Sequence, residues 1–181
     1  MIYTIKTERL GLRNWSTADL QSFTVMNQNP DVMRYFPSTY GRERTATLIE
    51  RMQRQYEKTK YCYFAADDLW TGEFIGFIGL MFQDYPAPFT PCIDIGWRLT
   101  PSVWGRGLAT EGATACLNYA FGALNLKEVY SVASVANVPS IKVMQKIGMR
   151  FQYEFKHPAL VHSPDLEVCV LYKIEKSWWR K

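Results

Sequence analysis

The chain has 181 residues and a mass of 21.0 kDa, which suits a single domain spanning residues 1–181. Hydrophobic residues make up 48% of the sequence and charged residues 21%, a balance that excludes general disorder. The net charge of +4 is too small and too dispersed to indicate a nucleic-acid partner by itself, so none is predicted.

The first third of the chain predicts one strand followed by two helices. Residues 3–13 partly alternate apolar and polar side chains, which is typical of an edge strand. Ser16 and Asp19 resemble a capping box and therefore predict a short helix after them. A second helix is predicted over residues 42–58, where apolar side chains recur at helical spacing.

The remaining chain predicts a run of strands and then alternating elements. Three strands, rich in aromatic and β-branched residues, are expected over residues 61–66, 74–82 and 93–99. The connection 83–91 contains three prolines and is expected to be an irregular loop that can carry binding residues. The later elements are a helix, a strand, a helix and two strands, predicted over residues 109–124, 129–135, 139–147, 150–155 and 166–174. This order predicts an α/β or α+β domain with a mixed sheet, including one parallel, right-handed strand-helix-strand unit.

The segment from Ile93 to Glu111 carries the clearest chemical pattern. A strand leads through Gly105 and Gly107 into the start of a helix. Glycines allow backbone N–H groups to converge, and a helix start adds free donors and partial positive charge, so the segment can hold a pyrophosphate. Arg106 can add a cationic contact. On the residues alone, tight packing at the turn explains the glycines equally well.

Two other phosphate-binding loops are disfavoured for this segment. The dinucleotide fingerprint needs a third glycine, where this sequence has Thr110, and it belongs to the first strand-helix turn of a domain. The nucleoside-triphosphate loop needs a GK[ST] ending, which the sequence lacks. The pattern therefore predicts neither a dinucleotide-binding enzyme nor a kinase.

The stretch WGRGLATEG resembles the coenzyme A pyrophosphate loop of the GNAT N-acetyltransferase superfamily, whose usual pattern is Q/R-x-x-G-x-G/A. Gly107 and Ala109 match that pattern, whereas Trp104 stands in its first place. Together with it, the blocks TERLGLR, IDIGWRLTPSVWGRGLATEG, NVPSIKVMQKIGM and VLYKI resemble the branch that includes ribosomal-protein alanine N-acetyltransferases. The resemblance implies an α/β (α+β) domain with a twisted mixed sheet of six or seven strands, flanked by helices, whose central strands splay apart.

The resemblance also implies that acetyl-CoA lies between the splayed strands. The strand 93–99 would bond the pantetheine arm through the backbone of Arg98, Leu99 and Thr100. The pyrophosphate would be received by the loop and helix start, formed by Trp104, Gly105, Arg106, Gly107, Leu108, Ala109 and Thr110. Asn137 and Ser140 match an N-x-x-S pattern in which the Asn contacts the cofactor and the hydroxyl approaches its sulfur. Many members have Tyr in place of Ser140.

Acyl transfer from a thioester to an amine needs a neutral amine, a stabilised oxyanion and a protonated or hydrogen-bonded leaving thiolate. For the oxyanion, we expect backbone N–H groups of the splayed strand after Asp94. Asp94 is the candidate base, because partial burial raises the pKa of a carboxyl group and makes it a better proton acceptor. An equally weighted alternative is an Asp that bonds nearby backbone or an arginine. Ser140 is a candidate proton donor to sulfur, or an ordinary cap-region residue. For Glu111, in the first helical turn, a structural role is favoured.

The acceptor site is expected by analogy in the first two helices, the loop 83–91 and the loop that contains His157. The candidate residues are Arg34, Tyr35, Tyr85, Phe89 and His157. Each can equally be a core or surface residue, and His157 and His162 can be exposed bystanders. An α-amine has a pKa of about 8 against about 10.4 for lysine, which slightly favours α-amines as acceptors.

The four cysteines, Cys62, Cys92, Cys116 and Cys169, form no CxxC pair, so neither a metal site nor a disulfide framework is predicted. Cys116 lies on an apolar helical stripe and Cys92 has no evident base, so a covalent acetyl-enzyme is disfavoured. The sequence has no apolar stretch of membrane-spanning length and no signal-peptide pattern, so a cytoplasmic protein without a membrane partner is expected. Its oligomeric state, monomer or homodimer, stays open.

The sequence therefore predicts an acetyl-CoA-dependent N-acetyltransferase that acts by direct transfer in a ternary complex. The acceptor would be a primary amine, either a ribosomal or other protein N-terminus or a small molecule. The alternative is a non-catalytic acyl-CoA-binding sensor. A nucleic-acid-binding tail at Trp178, Trp179, Arg180 and Lys181 is a third interpretation, and a fraying terminus explains those residues better.

Overall fold

A single sheet of eight strands organises the fold in the computed structural model, which describes residues 2–179. The strand order is β1-β2-β3-β4-β5-β6-β8-β7. The strands are β1 Ile5–Lys6, β2 Leu10–Arg13, β3 Tyr63–Asp68, β4 Phe74–Gln83, β5 Cys92–Leu99, β6 Glu128–Ser134, β7 Arg150–Lys156 and β8 Val168–Glu175. The helices are α1 Asp19–Gln28, α2 Pro30–Met33, α3 Arg42–Thr59, α4 Leu108–Phe121, α5 Val138–Lys146 and α6 Pro164–Glu167.

The predicted edge strand over residues 3–13 is a hairpin, and this accounts for eight strands instead of six or seven. β1 pairs antiparallel with β2, with Ile5 opposite Leu12. β2 also pairs with β3, so all four of its residues are buried. The polar run between β1 and β2 interrupts the alternation and turns the chain.

The predicted capping box is only half formed, and its Asp19 belongs to a buried ion cluster. Asp19 accepts a hydrogen bond from the backbone N–H of Ser16 at 2.7 Å, as a capping box requires. No side-chain bond caps α1, because the Asp19 N–H donates to the Ser16 carbonyl at 3.2 Å instead of to the Ser16 hydroxyl. The Asp19 carboxylate also accepts two bonds from Arg13, each 2.8 Å long. Asp67 on β3 holds the other side of the Arg13 guanidinium at 2.7 and 2.9 Å. The cluster therefore ties α1 to β2 and β3.

The two central strands separate after a short contact. β4 and β5 pair antiparallel from Gly76–Leu99 to Gln83–Cys92, whereas parallel β5 and β6 share one registered pair, Asp94 with Tyr130. The next contact is a hydrogen bond of 2.9 Å from Ser131 Oγ to the Ile95 carbonyl. The parallel unit and the splayed strands are thus confirmed, and α4 is the crossover between them.

Helix α4 packs on one face of the sheet with the apolar stripe predicted from the sequence. Its buried residues include Ala113, Cys116, Leu117 and Ala120. Gly112 allows close approach, because a Cβ there would lie 2.4 Å from Ile78 Cδ1. On the other face, the Trp15 and Phe23 rings pack at 4.6 Å, and buried Ile49 and Met52 anchor α3. This second face also carries Asp94.

The C-terminal region differs from the prediction in two places. Strand β8 begins at Val168 instead of residue 166, because residues 164–167 form the short helix α6. The expected fraying is wrong for Trp179, whose Nε1 donates to Asn118 Oδ1 at 3.0 Å, and for Trp178, whose ring lies 4.1 Å from the Arg150 guanidinium. Arg180 and Lys181 lie outside the described residues. Within residues 2–179, no helix combines the length and apolarity needed to cross a membrane.

Candidate active site

The loop between β5 and α4 presents a row of free backbone donors beside the gap. Gly105 and Gly107 adopt left-handed φ angles of 74° and 80°, and Gly107 directly precedes α4. Among residues 2–179, the N–H groups of residues 105–110 have no hydrogen-bond partner, and that of Glu111 is the first to bond back into the helix, at 3.0 Å to Gly107. Such a helix start with an αL glycine suits a phosphate group.

Trp104 holds this loop against the end of β5. Its indole Nε1 donates to the Leu99 carbonyl at 2.8 Å, while 46% of the residue stays exposed. Trp104 therefore fixes the loop to the end of β5, at the position where the usual pattern has Gln or Arg. A cofactor contact by the exposed part of its ring stays a prediction.

Two side chains of the N-terminal segment bond to this loop and to the start of α4. Glu111 Oε1 accepts from Thr7 Oγ1 at 2.6 Å, and Glu111 Oε2 lies 2.6 Å from Arg9 Nη2. Arg9 Nη1 in turn donates to the Arg106 carbonyl at 3.0 Å. Partial burial opposes ionisation, but the hydrogen bonds from Thr7 and Arg9 outweigh it and lower the pKa of Glu111. The contacts agree with the structural role expected for Glu111, and the supporting roles of Thr7 and Arg9 were missed.

Arg106, the predicted cationic contact, forms one long ion pair and is otherwise partly exposed. Its Nη2 lies 3.5 Å from Asp68 Oδ2, while its side chain is 40% exposed. The guanidinium thus flanks the free N–H groups and remains open to a ligand. Leu108, Ala109 and Thr110 form the first turn of α4, with Leu108 buried.

The backbone of β5 faces the gap at alternate residues. The Thr100 N–H donates to the Ile75 carbonyl at 2.9 Å, so the amides of Thr100 and Arg98 are directed toward β4. By the same alternation, Trp97 and Leu99 direct their amides toward the gap. Of the three strand residues predicted for the pantetheine arm, Leu99 alone has this direction, and Trp97 was missed.

Asp94 is held by side chains from both preceding strands. The Tyr63 hydroxyl lies 2.7 Å from Oδ1 and 2.8 Å from Oδ2, and Gln83 Nε2 donates to Oδ2 at 3.1 Å. Burial raises the pKa of Asp94 from 3.8 to about 7, while the bonds from Tyr63 and Gln83 and the charge of Arg51 act in the opposite direction. The carboxyl group can therefore exchange a proton near neutral pH.

Two glycines allow Tyr63 to reach Asp94 across the sheet. A Cβ on Gly96 would lie 3.1 Å from the Tyr63 ring, and a Cβ on Gly79 would lie 2.7 Å from the Tyr63 Cα. The ring stacks on Phe77, with centroids 5.0 Å apart. The sequence reasoning missed Tyr63 and Gln83. The glycine in each of the two adjacent strands was the available signal.

Asn137 and Ser140 lie together at the start of α5. Asn137 is the N-cap, and its Oδ1 accepts from the Ser140 N–H at 3.2 Å. The Ser140 hydroxyl is partly accessible and has no hydrogen-bond partner among residues 2–179. The capping role is thus observed for Asn137, while the Ser140 hydroxyl is free to donate to a ligand.

An aromatic cluster brings together three of the predicted acceptor residues. Tyr85 lies 4.6 Å from His157 and 6.0 Å from Phe89, measured between ring centroids. Phe89 also stacks on Tyr130, the β6 partner of Asp94, at 5.9 Å. Burial and then the charge of Asp94 raise the pKa of Tyr85, and burial lowers that of His157. The cluster therefore borders Asp94, and its histidine is neutral at pH 7.

Arg34 and Tyr35, the other two acceptor candidates, interact elsewhere. Arg34 is exposed and bonds Asp31 at 3.2 Å, with its guanidinium 5.9 Å from the Tyr35 ring. The following residues, Phe36 and Tyr40, instead reach Arg98 on β5, with ring centroids 4.1 and 5.6 Å from its guanidinium. Arg34 and Tyr35 therefore stay predictions as acceptor residues, and the contacts to β5 come from their neighbours Phe36 and Tyr40.

The cysteines are poor nucleophiles in this setting. All four are buried and free. Burial raises the pKa of Cys92 to about 12, and it raises the pKa of Cys116 as well. The reactive thiolate is therefore scarce at neutral pH. Among the described residues, no group of three or more His, Cys, Asp or Glu side chains could hold a metal ion.

Comparison with known proteins gives a consistent set of similarities. Residues 9–150 match the model of an acetyltransferase (GNAT) domain. The chain is 31% identical over 152 residues to the uncharacterised N-acetyltransferase YnaD of Bacillus subtilis, covering 84% of this chain and 85% of that protein. A GNAT-family acetyltransferase structure from Bacillus anthracis is 26% identical, with a TM-score of 0.79 and coverage of 96% and 98%. A putative ribosomal-protein-serine acetyltransferase from Vibrio cholerae, 16% identical with a TM-score of 0.75 over 94% and 96%, shares the fold.

Proposed function

This chain belongs to the GNAT acetyltransferase family and is an acetyl-CoA-dependent N-acetyltransferase, and from that premise we propose that it acetylates a primary α-amine by direct transfer in a ternary complex. The observation that carries the proposal is Asp94, a carboxyl group with a pKa of about 7 at the point where β5 and β6 separate. The acceptor is a protein N-terminus, ribosomal or other, or a small-molecule amine.

The free donors beside the gap fit the cofactor. The unpaired N–H groups of residues 105–110 suit the pyrophosphate, with Arg106 as an added cation. The amides of Trp97 and Leu99 suit the amide-containing pantetheine arm, because they extend the hydrogen-bonding edge of β5. Bound in this way, acetyl-CoA supplies the activated acyl group, and the chain's own residues manage the protons.

Asp94 receives the proton of the acceptor ammonium, directly or through a water. A base with a pKa of about 7 is well matched to an α-ammonium, whose pKa is about 8, and poorly matched to a lysine ammonium at about 10.4. The Tyr63 hydroxyl and the Gln83 amide hold the carboxylate in place. The matched pKa values support an α-amine over a lysine side chain.

Ser140 is the candidate donor for the departing sulfur. The new C–N bond forms as the C–S bond breaks, and the electron pair leaves on sulfur, where a donated hydrogen bond stabilises it. The free Ser140 hydroxyl at the start of α5 supports this role. Ser140→Ala should lower the rate without a change in the pKa that Asp94 contributes to the acidic limb of the pH profile, and an unchanged rate across pH would remove Ser140 from the mechanism.

Transfer through an acetylated cysteine is disfavoured by the burial and raised pKa of the thiols. A variant lacking all four cysteines but still folded should therefore retain activity. Recovery of an acetylated cysteine from the natural protein would overturn direct transfer.

The test of the proposed function is acetyl-CoA consumption with a panel of peptide N-termini, amino acids, polyamines and aminoglycosides. Steady turnover with an α-amine is expected, and binding of acetyl-CoA without turnover of any amine would favour a sensor. Asp94→Asn should lower turnover by about 100-fold or more, as loss of a general base does. Its affinity for acetyl-CoA should stay near that of the natural protein, which separates catalysis from cofactor binding.

A further inference from the structure

Arg98 is a largely buried cation that no carboxylate within residues 2–179 neutralises. Its Nη1 donates to the Asn27 amide oxygen at 2.7 Å, and no ion pair to it occurs among residues 2–179. The guanidinium lies 4.1 Å from the Phe36 centroid and 5.3 Å from that of Phe77. The Arg98 guanidinium is therefore surrounded by a neutral amide oxygen and by aromatic rings.

Such an environment is costly for a charge without an anion. Burial lowers the pKa of Arg98 to about 10, and its buried Nε–H has no partner among the described residues. Buried donors and charges are normally paired, since an unpaired one loses its hydration without compensation. Nε–H is also one prong of the fork with which arginine binds a carboxylate in bidentate fashion. A carboxylate from outside the chain would fill both requirements.

Arg98 lies on the same face of β5 as the candidate base. Residues 94, 96 and 98 share this face, because successive side chains of a strand point to opposite faces. At the usual strand rise, the Cα atoms of Asp94 and Arg98 are about 13 Å apart. Gly96 lies between them, covered by the Tyr63 ring. An acceptor that lies on this face can thus meet a base at one end and a cation at the other.

We propose that the acceptor carries a carboxylate, which the guanidinium of Arg98 binds while the acceptor's amine meets Asp94. This inference rests on the proposed function and deepens it, because it names the acceptor class as an anionic amine. Arg98 is then the residue that sets specificity. The backbone of the same strand remains available to acetyl-CoA, since the Arg98 side chain is directed to the opposite side from α4.

The charges around this face agree with an anionic acceptor. Arg51 on α3 acts on both Asp94 and Tyr63, as its lowering of their pKa values shows. Arg44 lies over the Tyr40 ring at 3.8 Å, beside Arg98. Cations at these positions repel a polyamine, favour a carboxylate, and lower the pKa of an incoming amine, which helps to keep it neutral.

The experiment compares acceptors that differ only in a carboxylate. One series pairs free amino acids with their amides, and the other pairs peptides with Glu or Gln at the second position. We expect kcat/KM to be about 10- to 100-fold higher for the carboxylate member of at least one series, as a charge-assisted hydrogen-bonded pair provides. The series that responds tells whether the carboxylate belongs to an amino acid or to an acidic peptide.

Three variants test the assignment to Arg98. Arg98→Met should reduce the carboxylate preference to near one, mainly through KM, and Arg98→Lys should restore part of it because the charge remains without the fork. Arg42→Gln is the matched control, since Arg42 is an exposed cation at the start of α3 whose side chain bonds Gln21 at 3.1 Å. It should leave the preference unchanged. Unfolding in urea checks that Arg98→Met remains folded.

The outcomes separate this inference from the proposed function. Equal kcat/KM for acid and amide in both series, or a preference that survives in Arg98→Met, would overturn the anionic-acceptor inference while the enzyme assignment stands. Faster turnover of polyamines than of any carboxylate-bearing amine would also overturn it. Absence of turnover with every amine, despite acetyl-CoA binding, would instead contradict the proposed function.

Discussion

The Tyr63 hydroxyl lies within 2.8 Å of both carboxylate oxygens of Asp94, donating from β3 across β4 to β5. Burial and the negative charge of Asp94 raise the pKa of Tyr63 well above 10, so the hydroxyl stays protonated and remains a donor. Tyr63 therefore stabilises the ionised form of Asp94 and keeps the pKa of the base from rising further. We regard it as a positioning residue.

Tyr63→Phe should move the pH dependence of the reaction to higher pH. Loss of the charge-assisted bond removes a contribution that lowers the pKa of Asp94, and a rise of about one unit is expected. At pH 7 the ionised fraction, and with it kcat/KM, should fall about fivefold and recover above pH 9. The measurement is the pH profile of kcat/KM for the acceptor.

The control for this prediction is Tyr119→Phe. Tyr119 on α4 donates its hydroxyl to the Lys60 carbonyl at 3.0 Å, and α4 packs on the face of the sheet opposite to Asp94. It should leave the profile unchanged. A Tyr63→Phe profile superimposable on that of the natural protein would show that the hydroxyl does not tune Asp94.

Asp94→Asn should change the pH dependence of stability in a defined direction. The pKa of Asp94 is higher in the folded protein, about 7, than the ordinary 3.8, so folding favours its protonated form. The associated stability is full below about pH 4 and is lost as the pH rises to about 7. Asparagine does not ionise and loses nothing over this range.

The free energy of unfolding of Asp94→Asn, relative to the natural protein, should therefore increase between pH 4 and pH 7 and then level off. The slope has an upper limit of about 1.4 kcal/mol per pH unit. Any fixed cost of the amide shifts the curve without altering the slope. Urea unfolding of both proteins at several pH values measures it, and parallel curves would contradict a raised pKa.

The sequence predicted the parts of this fold that depend on local pattern. The apolar stripe of α4 was correct because periodicity reports which face is buried. The parallel arrangement of β5 and β6 was correct because a strand, a helix and a strand in succession favour it. The family resemblance is confirmed by the domain match. The hairpin β1–β2 was missed because β1 has two residues, too few to show alternation.

The side chains around Asp94 could not be predicted in the same way. Tyr63 and Gln83 meet Asp94 through strand register, which joins residues 31 and 11 positions apart in the chain. Arg98 was assigned a backbone role from the resemblance alone, and the environment of its guanidinium is formed by α1 and the segment after α2. Contacts of this kind follow from packing and leave no periodic signal.

Gly107→Ala should weaken both acetyl-CoA binding and the fold. The φ angle of 80° strains any residue with a Cβ by about 1–2 kcal/mol. Steric conflict adds little, because the nearest atom to that Cβ would be Arg9 Nη2 at 3.8 Å. Relief of the strain reorients the free N–H groups, so we expect roughly tenfold weaker binding by calorimetry.

Gly41→Ala is the matched control for the loop glycine. Gly41 has a φ angle of −76°, and a Cβ there would meet no atom within 4 Å. The affinity of the Gly41→Ala variant for acetyl-CoA should equal that of the natural protein. Equal binding by all three proteins would show that the αL turn before α4 does not hold the cofactor.

Glu111→Gln should lower both stability and cofactor affinity, because Glu111 fastens the N-terminal segment to α4. The Arg9–Glu111 side chains are 26% and 21% exposed, and loss of their charged bonds should cost about 1–2 kcal/mol. Hydrogen bonds lower the pKa of Glu111, so its stabilisation is present above its ordinary pKa of 4.5 and is lost as the pH falls below it. Urea unfolding at pH 7 and pH 3 should therefore show a difference that shrinks in acid.

The same variant should raise the KM for acetyl-CoA, since Arg9 also donates to the Arg106 carbonyl in the loop and loses its anchor. Glu167→Gln is the comparison, because its partner Lys156 is 74% exposed and such surface pairs contribute about 0–1 kcal/mol. That variant should leave KM unchanged. Equal effects of Glu111→Gln and Glu167→Gln on both stability and KM would show that the N-terminal segment does not shape the loop. The arrangement of the free N–H groups of residues 105–110 would then depend on the two αL glycines alone.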